Sequence, residues 1–212
     1  MLRYKTILLG PCGSGKSTFL YQIRHGSSKG YLNAPTIGVD YAIKTINYKK
    51  NEIKIEFWDT SGQERFKSII NLYYKGVDLV FLVFDISDVD SFRQLEVYIS
   101  EIKDNCGDIP IVLILNKKDL NINNEYVNSN NELHKTYVLI NLDELVSKNL
   151  VTKYFFMSNL DDDNVKYLVD YINNLIINNS KIIDGINKRS KNSNIQLQNL
   201  KNRKSSMNYC GC

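Results

Sequence analysis

The 212-residue sequence has no long hydrophobic run; its longest unbroken apolar stretch is Leu79–Phe84, six residues. A membrane-spanning helix needs about 20 apolar residues, so no span is expected. No secretory leader is expected either, because Met1-Leu2-Arg3-Tyr4-Lys5 runs into a first strand whose apolar part is too short for one. Cysteine is sparse, at 12, 106, 210 and 212, and none of the four shows C-x-x-C or zinc-ligand spacing. That pattern argues against a zinc site and suits reduced thiols of cytosolic type. Acid is scarce at one end. Residues 179–212 carry seven Lys or Arg and a single Asp, net +6, whereas the whole chain is +4, which leaves the remainder at −2. The basic character therefore belongs to the tail. A nucleic-acid-binding face on the domain is not expected, and an electrostatic task at the C-terminal end is.

What is present is an ordinary globular composition. A hydrophobic content of 43% suffices for one core. The length suits one domain, residues 1–178, followed by a flexible tail over 179–212, where Asn, Ser, Lys and Arg rise and the apolar pattern thins. Tyr4–Leu9 reads as a strand and Lys16 to about His25 as a helix. Asp40–Tyr48 and Glu52–Trp58 read as a hairpin around Lys49-Lys50-Asn51. Leu79–Phe84 and Ile111–Leu115 are continuously apolar, like central strands covered on both faces. Helices are expected from Ser91 to about Asn105, near Asn141–Asn149 and over Asp163–Asn178, with a last strand near Tyr154–Met157. Strands alternating with helices give an α/β fold with a doubly wound, mostly parallel sheet, which binds ligands in the loops after the carboxyl ends of its strands. Asn121–Lys135 departs from this economy. Six of its fifteen residues are Asn, and it reads as a polar low-complexity insertion, either a tolerated surface loop or a partner loop.

Three strand ends carry chemistry. Gly10-Pro11-Cys12-Gly13-Ser14-Gly15-Lys16-Ser17 fits G-x-x-x-x-G-K-[ST] between a strand and a helix. Residues Gly13, Ser14, Gly15, Lys16, Ser17 and Thr18 then form a phosphate nest at a helix N-terminus, with Lys16 on the β- and γ-phosphates and the Ser17 hydroxyl on Mg²⁺. In Asp59-Thr60-Ser61-Gly62-Gln63, Asp59 can hold Mg²⁺ through a water, Gly62 can offer its N–H to a γ-phosphate, and Gln63 can orient an attacking water. In Asn116-Lys117-Lys118-Asp119, the Asp119 carboxylate can accept from the N1–H and 2-amino groups of guanine, a donor pair that adenine lacks. The Lys117 stem can cover the ring face. Thr36, in the loop before the second strand, can complete the Mg²⁺ shell and touch the γ-phosphate, an interaction that ends on hydrolysis.

On these residues the chain resembles a Ras-superfamily small GTPase of the Rab family. The stretches that carry the resemblance are GPCGSGKS (10–17), TIGVDY (36–41), WDTSGQERF (58–66), NLYYKG (71–76) and NKKDL (116–120). It implies a P-loop NTPase G-domain with a six-stranded sheet, strand 2 antiparallel, over about residues 3–178. It also implies a GTP/GDP switch with Mg²⁺ and slow, GAP-stimulated hydrolysis, acting in vesicle trafficking. The implied partners are an exchange factor, a GAP, a GDI or escort protein and effectors, met by a monomer on the cytoplasmic face of intracellular membranes with a cytosolic pool. The family's effector aromatics fall on Tyr41, Trp58 and Tyr73. Its last guanine motif, Ser-Ala-Lys, stands here as Ser158-Asn159-Leu160, which places Ser158 and Asn159 at the base. Rabs usually carry Ala where Ser61 stands, and Ser or Gly where Cys12 stands. Tyr31 either covers the guanine edge or serves as the switch tyrosine. Cys210-Gly211-Cys212 resembles a doubly geranylgeranylated Rab terminus. Two lipid chains, or one with a polybasic stretch, anchor stably to an anionic leaflet.

Two other readings remain at this level. Ser61 and Cys12 suit a GTP-dependent adaptor with negligible turnover. A P-loop kinase of small molecules shares the phosphate loop, but no arginine-bearing lid is evident and NKKDL has no role in one.

Overall fold

The computed structural model describes residues 2–31, 36, 38–48, 51–62, 72–88, 94–121 and 142–178. Gln63, the Asn-rich insertion beyond Asn121, and the tail with Cys210 and Cys212 lie outside the described residues. Six strands form one sheet: β1 (Leu2–Leu9), β2 (Val39–Tyr48), β3 (Asn51–Thr60), β4 (Leu79–Asp85), β5 (Ile111–Asn116) and β6 (Lys153–Phe156). Their order is β2-β3-β1-β4-β5-β6, with β2 antiparallel to β3 and every other pair parallel. The helices are α1 (Lys16–His25), α2 (Leu95–Cys106) and α3 (Asp162–Asn178), with a further helical stretch at 142–147.

Alternation along the strands divides the core into two layers. On one face Tyr4, Leu8, Ile55, Phe57, Phe81, Val83 and Ile114 are covered by Phe19 and Leu20 of α1 and by Val165, Leu168 and Ile172 of α3. On the other, Ile7, Leu9, Val80, Leu82, Phe84 and Leu113 are covered by Leu95, Ile99 and Ile102 of α2 and by Leu142 and Leu145. Both faces of β4 and β5 are thus closed, which is why these strands are apolar without interruption. The hairpin strands are longer than the sequence pattern suggests, because pairing continues from Tyr41↔Trp58 to Val39↔Thr60. That extension brings Asp59 and Thr60 to the same end of the sheet as the phosphate loop.

β1 lies between β3 and β4, so the connection after β1 leads to the β2–β3 side and the connection after β3 crosses to β4 on the other. Such a reversal opens a crevice at the carboxyl ends of the strands. Gly10 starts the loop there with φ +133°, and a Cβ on it would lie 2.0 Å from Val83 O. The loop can therefore pass this close to β4 only with glycine.

Candidate nucleotide-binding site

Four strand ends surround a cleft of about 520 Å³. The phosphate loop after β1 lines it with Cys12, Gly13, Gly15, Lys16, Ser17 and Thr18. Thr60, Ser61 and Gly62 enter from β3, Asn116, Lys117 and Asp119 from β5, and Ser158 and Asn159 from the end of β6. Thr36 and Tyr31 close it from the loop after α1. Of the expected nucleotide and metal residues that are described, only Ser14 and Asp59 stand behind this wall, both buried.

The phosphate loop is built for an anion. Gly15 caps α1 with φ 100°, no side chain among the described residues caps the helix start, and no acid sits in its first turn. Unsatisfied N–H groups and the helix dipole make this end electropositive. Lys16 is 4% exposed, and its ammonium donates to Gly10 O at 2.8 Å and to Pro11 O at 2.7 Å. Burial pulls its pKa down to about 8, against the opposing charge of Asp59. A phosphate arriving here would restore a strong partner to this lysine. Gly62 makes room for it: a Cβ would come 2.5 Å from Cys12 N and 2.7 Å from Lys16 Nζ.

Three oxygens from three segments converge beside the loop. Ser17 Oγ lies 2.5 Å from Thr36 Oγ1 and donates to Asp59 Oδ2 at 2.5 Å, and Thr36 Oγ1 lies 3.3 Å from the same carboxylate oxygen. The other oxygen, Asp59 Oδ1, is buried and has no hydrogen-bond partner among the described residues. Burial raises the Asp59 pKa, opposed by the bond from Ser17, the charge of Lys16 and the bond from Thr36. Two hydroxyls and one carboxylate are hard donors of the kind a small divalent cation takes, with waters completing its shell. Among the described residues no group of three His, Cys, Asp or Glu is placed to hold a metal ion.

The other end of the cleft suits a planar base. Asp119 stands on a 3₁₀ turn, Lys118–Asn121, directly after a Lys117 held at φ 65°. A positive φ on a residue with a side chain is a local strain of the kind found at binding sites. Leu120 and Leu160, 52% and 70% exposed, add apolar surface beside Asp119 and Asn159. Asn116 turns inward: Nδ2 donates to Ser14 O at 2.8 Å, and Oδ1 accepts from Asn159 N–H at 3.0 Å. Asn116 thus braces the cleft. Asn159, which the motif resemblance places at the base, lines the cleft and gives its N–H to that brace.

The sequence model of the Ras family matches residues 5–178. The chain belongs to the Ras family. Its likeness within that superfamily is to Rab proteins. It is 40% identical over 128 residues to Ras-related protein Rab-1D of Dictyostelium discoideum, covering 60% of this chain and 62% of that one. It is 39% identical over 120 residues to Ras-related protein RabC of the same organism, covering 55% and 61%. Ras-related protein RABD2a of Arabidopsis thaliana is 38% identical over 122 residues, covering 57% and 59%. The chain spans about three fifths of the length of these curated relatives.

Against the Rab pattern, the three effector-position aromatics do come together. Tyr41 and Trp58 face each other in register with ring centroids 4.6 Å apart, and Trp58 and Tyr73 lie 5.2 Å apart. Lys5 Nζ sits 5.4 Å from the Trp58 ring. Tyr31 packs on Tyr21 of α1 at 5.3 Å and lines the cleft. Cys12 is an exposed free thiol at its mouth, and Ser61 is buried, its N–H donating to Gly38 O at 3.1 Å. Motif reading missed two supports. Asp85 pairs with Lys117 at 2.8 Å. Asp162, at the start of α3, accepts from Gln22 Nε2 at 2.9 Å and from Ser28 N–H at 3.2 Å, fastening the loop that carries Tyr31. An Asp opening a helix was the only available signal for the second.

Proposed function

We propose that this chain is a Rab-type molecular switch that binds GDP and GTP with Mg²⁺, hydrolyses GTP slowly and regulates intracellular vesicle traffic. The observation that carries the reading is the convergence of Ser17, Thr36 and Asp59 beside an uncapped helix start, in the same cleft as Asp119. One segment supplies the phosphate nest, a second the hydroxyl that would respond to the γ-phosphate, and a third the acid.

In this reading the N–H groups from Gly13 to Thr18, with Lys16, hold the phosphates. Asp119 chooses guanine through its paired donors, and Lys117 covers the ring. Ser17 and Thr36 would ligate Mg²⁺ directly and Asp59 through a water, and the ion would neutralise charge on the phosphate oxygens. Gly62 N–H and Thr36 N–H face the γ-phosphate, and Gln63 orients the attacking water. Loss of that phosphate releases Thr36. Tyr41, Trp58 and Tyr73 offer the face read by effectors, and an exchange factor, a GAP and a GDI or escort protein complete the cycle of a monomer. Prenylation at Cys210 and Cys212, with the basic tail, would hold the protein to the cytoplasmic face of intracellular membranes and leave a cytosolic pool. No described helix is long and apolar enough to cross a membrane, so association would rest on that anchor.

Competition binding tests the reading. Labelled GDP should be displaced by GTP and GDP but not by ATP, and Asp119→Asn should shift preference toward xanthine nucleotides, with several kcal/mol lost for GTP. Equal GTP binding by parent and mutant would remove Asp119 from the base site.

A further inference from the structure

The phosphate loop is tied to the base end of the cleft by two side-chain amides. Asn116 Nδ2 donates to Ser14 O at 2.8 Å, and Asn159 Nδ2 donates to the next carbonyl, Gly15 O, at 2.7 Å. The two amide residues are themselves linked, Asn159 N–H donating to Asn116 Oδ1 at 3.0 Å. Both are nearly fully buried, at 2% and 4% exposure. The packing leaves no slack: a Cβ at Gly15 would lie 2.2 Å from Asn116 Nδ2 and 2.9 Å from Asn159 Nδ2.

The second bond is the informative one. Gly15 O already accepts the first helical bond of α1, from Phe19 N–H at 3.0 Å. Its other lone pair is taken by Asn159. This carbonyl shares a peptide plane with Lys16 N–H, so fixing the oxygen fixes the direction in which that N–H points. Meanwhile Asn159 Oδ1 is buried and has no hydrogen-bond partner among the described residues. An orphaned buried acceptor is costly and calls for a reason. Turning the amide over would set oxygen against Gly15 O, so the donor bond dictates the orientation. An alanine at 159, the residue usual in the family motif, could not reach Gly15.

We propose that Asn159 is a positioning residue that clasps the phosphate loop to the base end of the cleft and slows the release of bound nucleotide. The proposal rests on the guanine-nucleotide reading above. Asn159 acts through the Gly15–Lys16 peptide, so its effect falls on phosphate grip rather than on base choice.

The test loads the full chain with fluorescent GDP and Mg²⁺, then chases with excess GDP. Asn159→Ala should release GDP about three- to tenfold faster, the weight of one net buried hydrogen bond. Asn159→Asp keeps the volume but sets an acceptor against Gly15 O, and should release faster still. GMP lacks the β-phosphate, so its affinity should change less than that of GDP in both variants. Parental release rates in both variants would overturn the proposal. So would equal losses of GDP and GMP affinity accompanied by a lowered unfolding temperature, the mark of a merely structural residue. If the parent retains no labelled GDP, the nucleotide reading itself fails and takes the clasp with it. Retention by the parent with unchanged release in the variants sinks the clasp alone.

Discussion

Lys117 and Asp85 form an ion pair at 2.8 Å across the ends of two neighbouring strands, where Asp85 stands in register with Asn116. Ser87 adds its hydroxyl at 2.6 Å and its N–H at 2.9 Å to the same carboxylate. The lysine that would cover a base is therefore held from behind by an acid that belongs to none of the nucleotide motifs.

That pair has a pH signature. Burial alone would raise the Asp85 pKa, but the bonds from Lys117 and Ser87 and the lysine's charge outweigh it and leave it below its ordinary value. A depressed carboxylate contributes stability that is fully present above its unfolded pKa, about 3.9, and is lost as pH falls through the folded value. Acid unfolding of the parent should therefore steepen below about pH 5 relative to Asp85→Asn. Lys117 is a third exposed, so the difference should stay below about 1 kcal/mol. At neutral pH Asp85→Asn should weaken GDP binding about two- to fivefold by freeing Lys117. Urea unfolding across a pH series and a GDP titration check the two effects. Identical pH profiles would remove the pair as a stabilising interaction.

The cation site gives a second expectation. Ser17→Asn alters one of the two hydroxyls lying 2.5 Å apart. It should weaken GTP binding more than GDP binding, by about tenfold in the ratio, because in the proposed reading Thr36 would ligate the ion only beside a γ-phosphate. Chelating Mg²⁺ should accelerate nucleotide release from the parent and narrow its difference from the variant. Titrations of both nucleotides with and without Mg²⁺ decide it, and an unchanged ratio would count against the assignment.

Much of this was readable in advance, and the reason is local. Leu79–Phe84 and Ile111–Leu115 advertise buried strands by continuous apolarity, and the three ligand-bearing motifs stand at the ends of β1, β3 and β5. The supports were not readable. Gln22 meets Asp162 across 140 positions and Asn159 meets Gly15 across 144, pairings set only when α3 and the last loop pack on the phosphate loop. Asn116 shows the same limit. It lines the cleft as its motif leads one to expect, but its amide also holds Ser14 O and the Asn159 N–H, a brace the motif does not announce. Pairing of β3 beyond Trp58 was likewise invisible to alternation alone, because Asp59 and Thr60 are polar yet buried by the site they build.

Gly10 tests how tightly the loop is set on the sheet. Gly10→Ala would drive a Cβ to 2.0 Å from the backbone oxygen of Val83, in the middle of β4, at a φ that alanine avoids. No rotamer change relieves a backbone clash, so a loss of about 3 kcal/mol or more is expected. Denaturant unfolding should show it, and Gly107→Ala serves as the comparison, since nothing lies within 4 Å of its added Cβ although its φ is also positive. Equal losses at the two positions would mean that strain in φ, not the approach to Val83, sets the cost.

Membrane attachment is tested at the other end of the chain. Removing residues 210–212 should move the protein to the soluble fraction, whereas a single Cys→Ser change at 210 or 212 should weaken retention without abolishing it. One lipid chain with a basic stretch of net +6 still binds an anionic surface, while the stretch alone is weak at physiological salt. Fractionation unchanged in the double Cys→Ser form would rule out lipid attachment at these residues.

Turnover is the remaining expectation, and it turns on Gln63, Cys12 and Ser61. Phosphoryl transfer asks the protein mainly for positioning and charge stabilisation. Ras is the reference case for this pattern, slow alone and fast once a GAP supplies an arginine. Gln63 should orient the water here, so Gln63→Leu should lower single-turnover GTP hydrolysis at least about tenfold and hold the GTP state. Cys12 is exposed and lines the cleft, where its side chain would meet an arginine brought in toward the phosphates. Cys12→Ser should leave intrinsic hydrolysis near parental and raise GAP-stimulated hydrolysis. Ser61 lines the same cleft between Thr60 and Gly62, and Ser61→Ala should change the intrinsic rate by less than Gln63→Leu does. If Gln63→Leu matches the parent while Ser61→Ala speeds hydrolysis, the chain is a slow adaptor rather than a cycling switch.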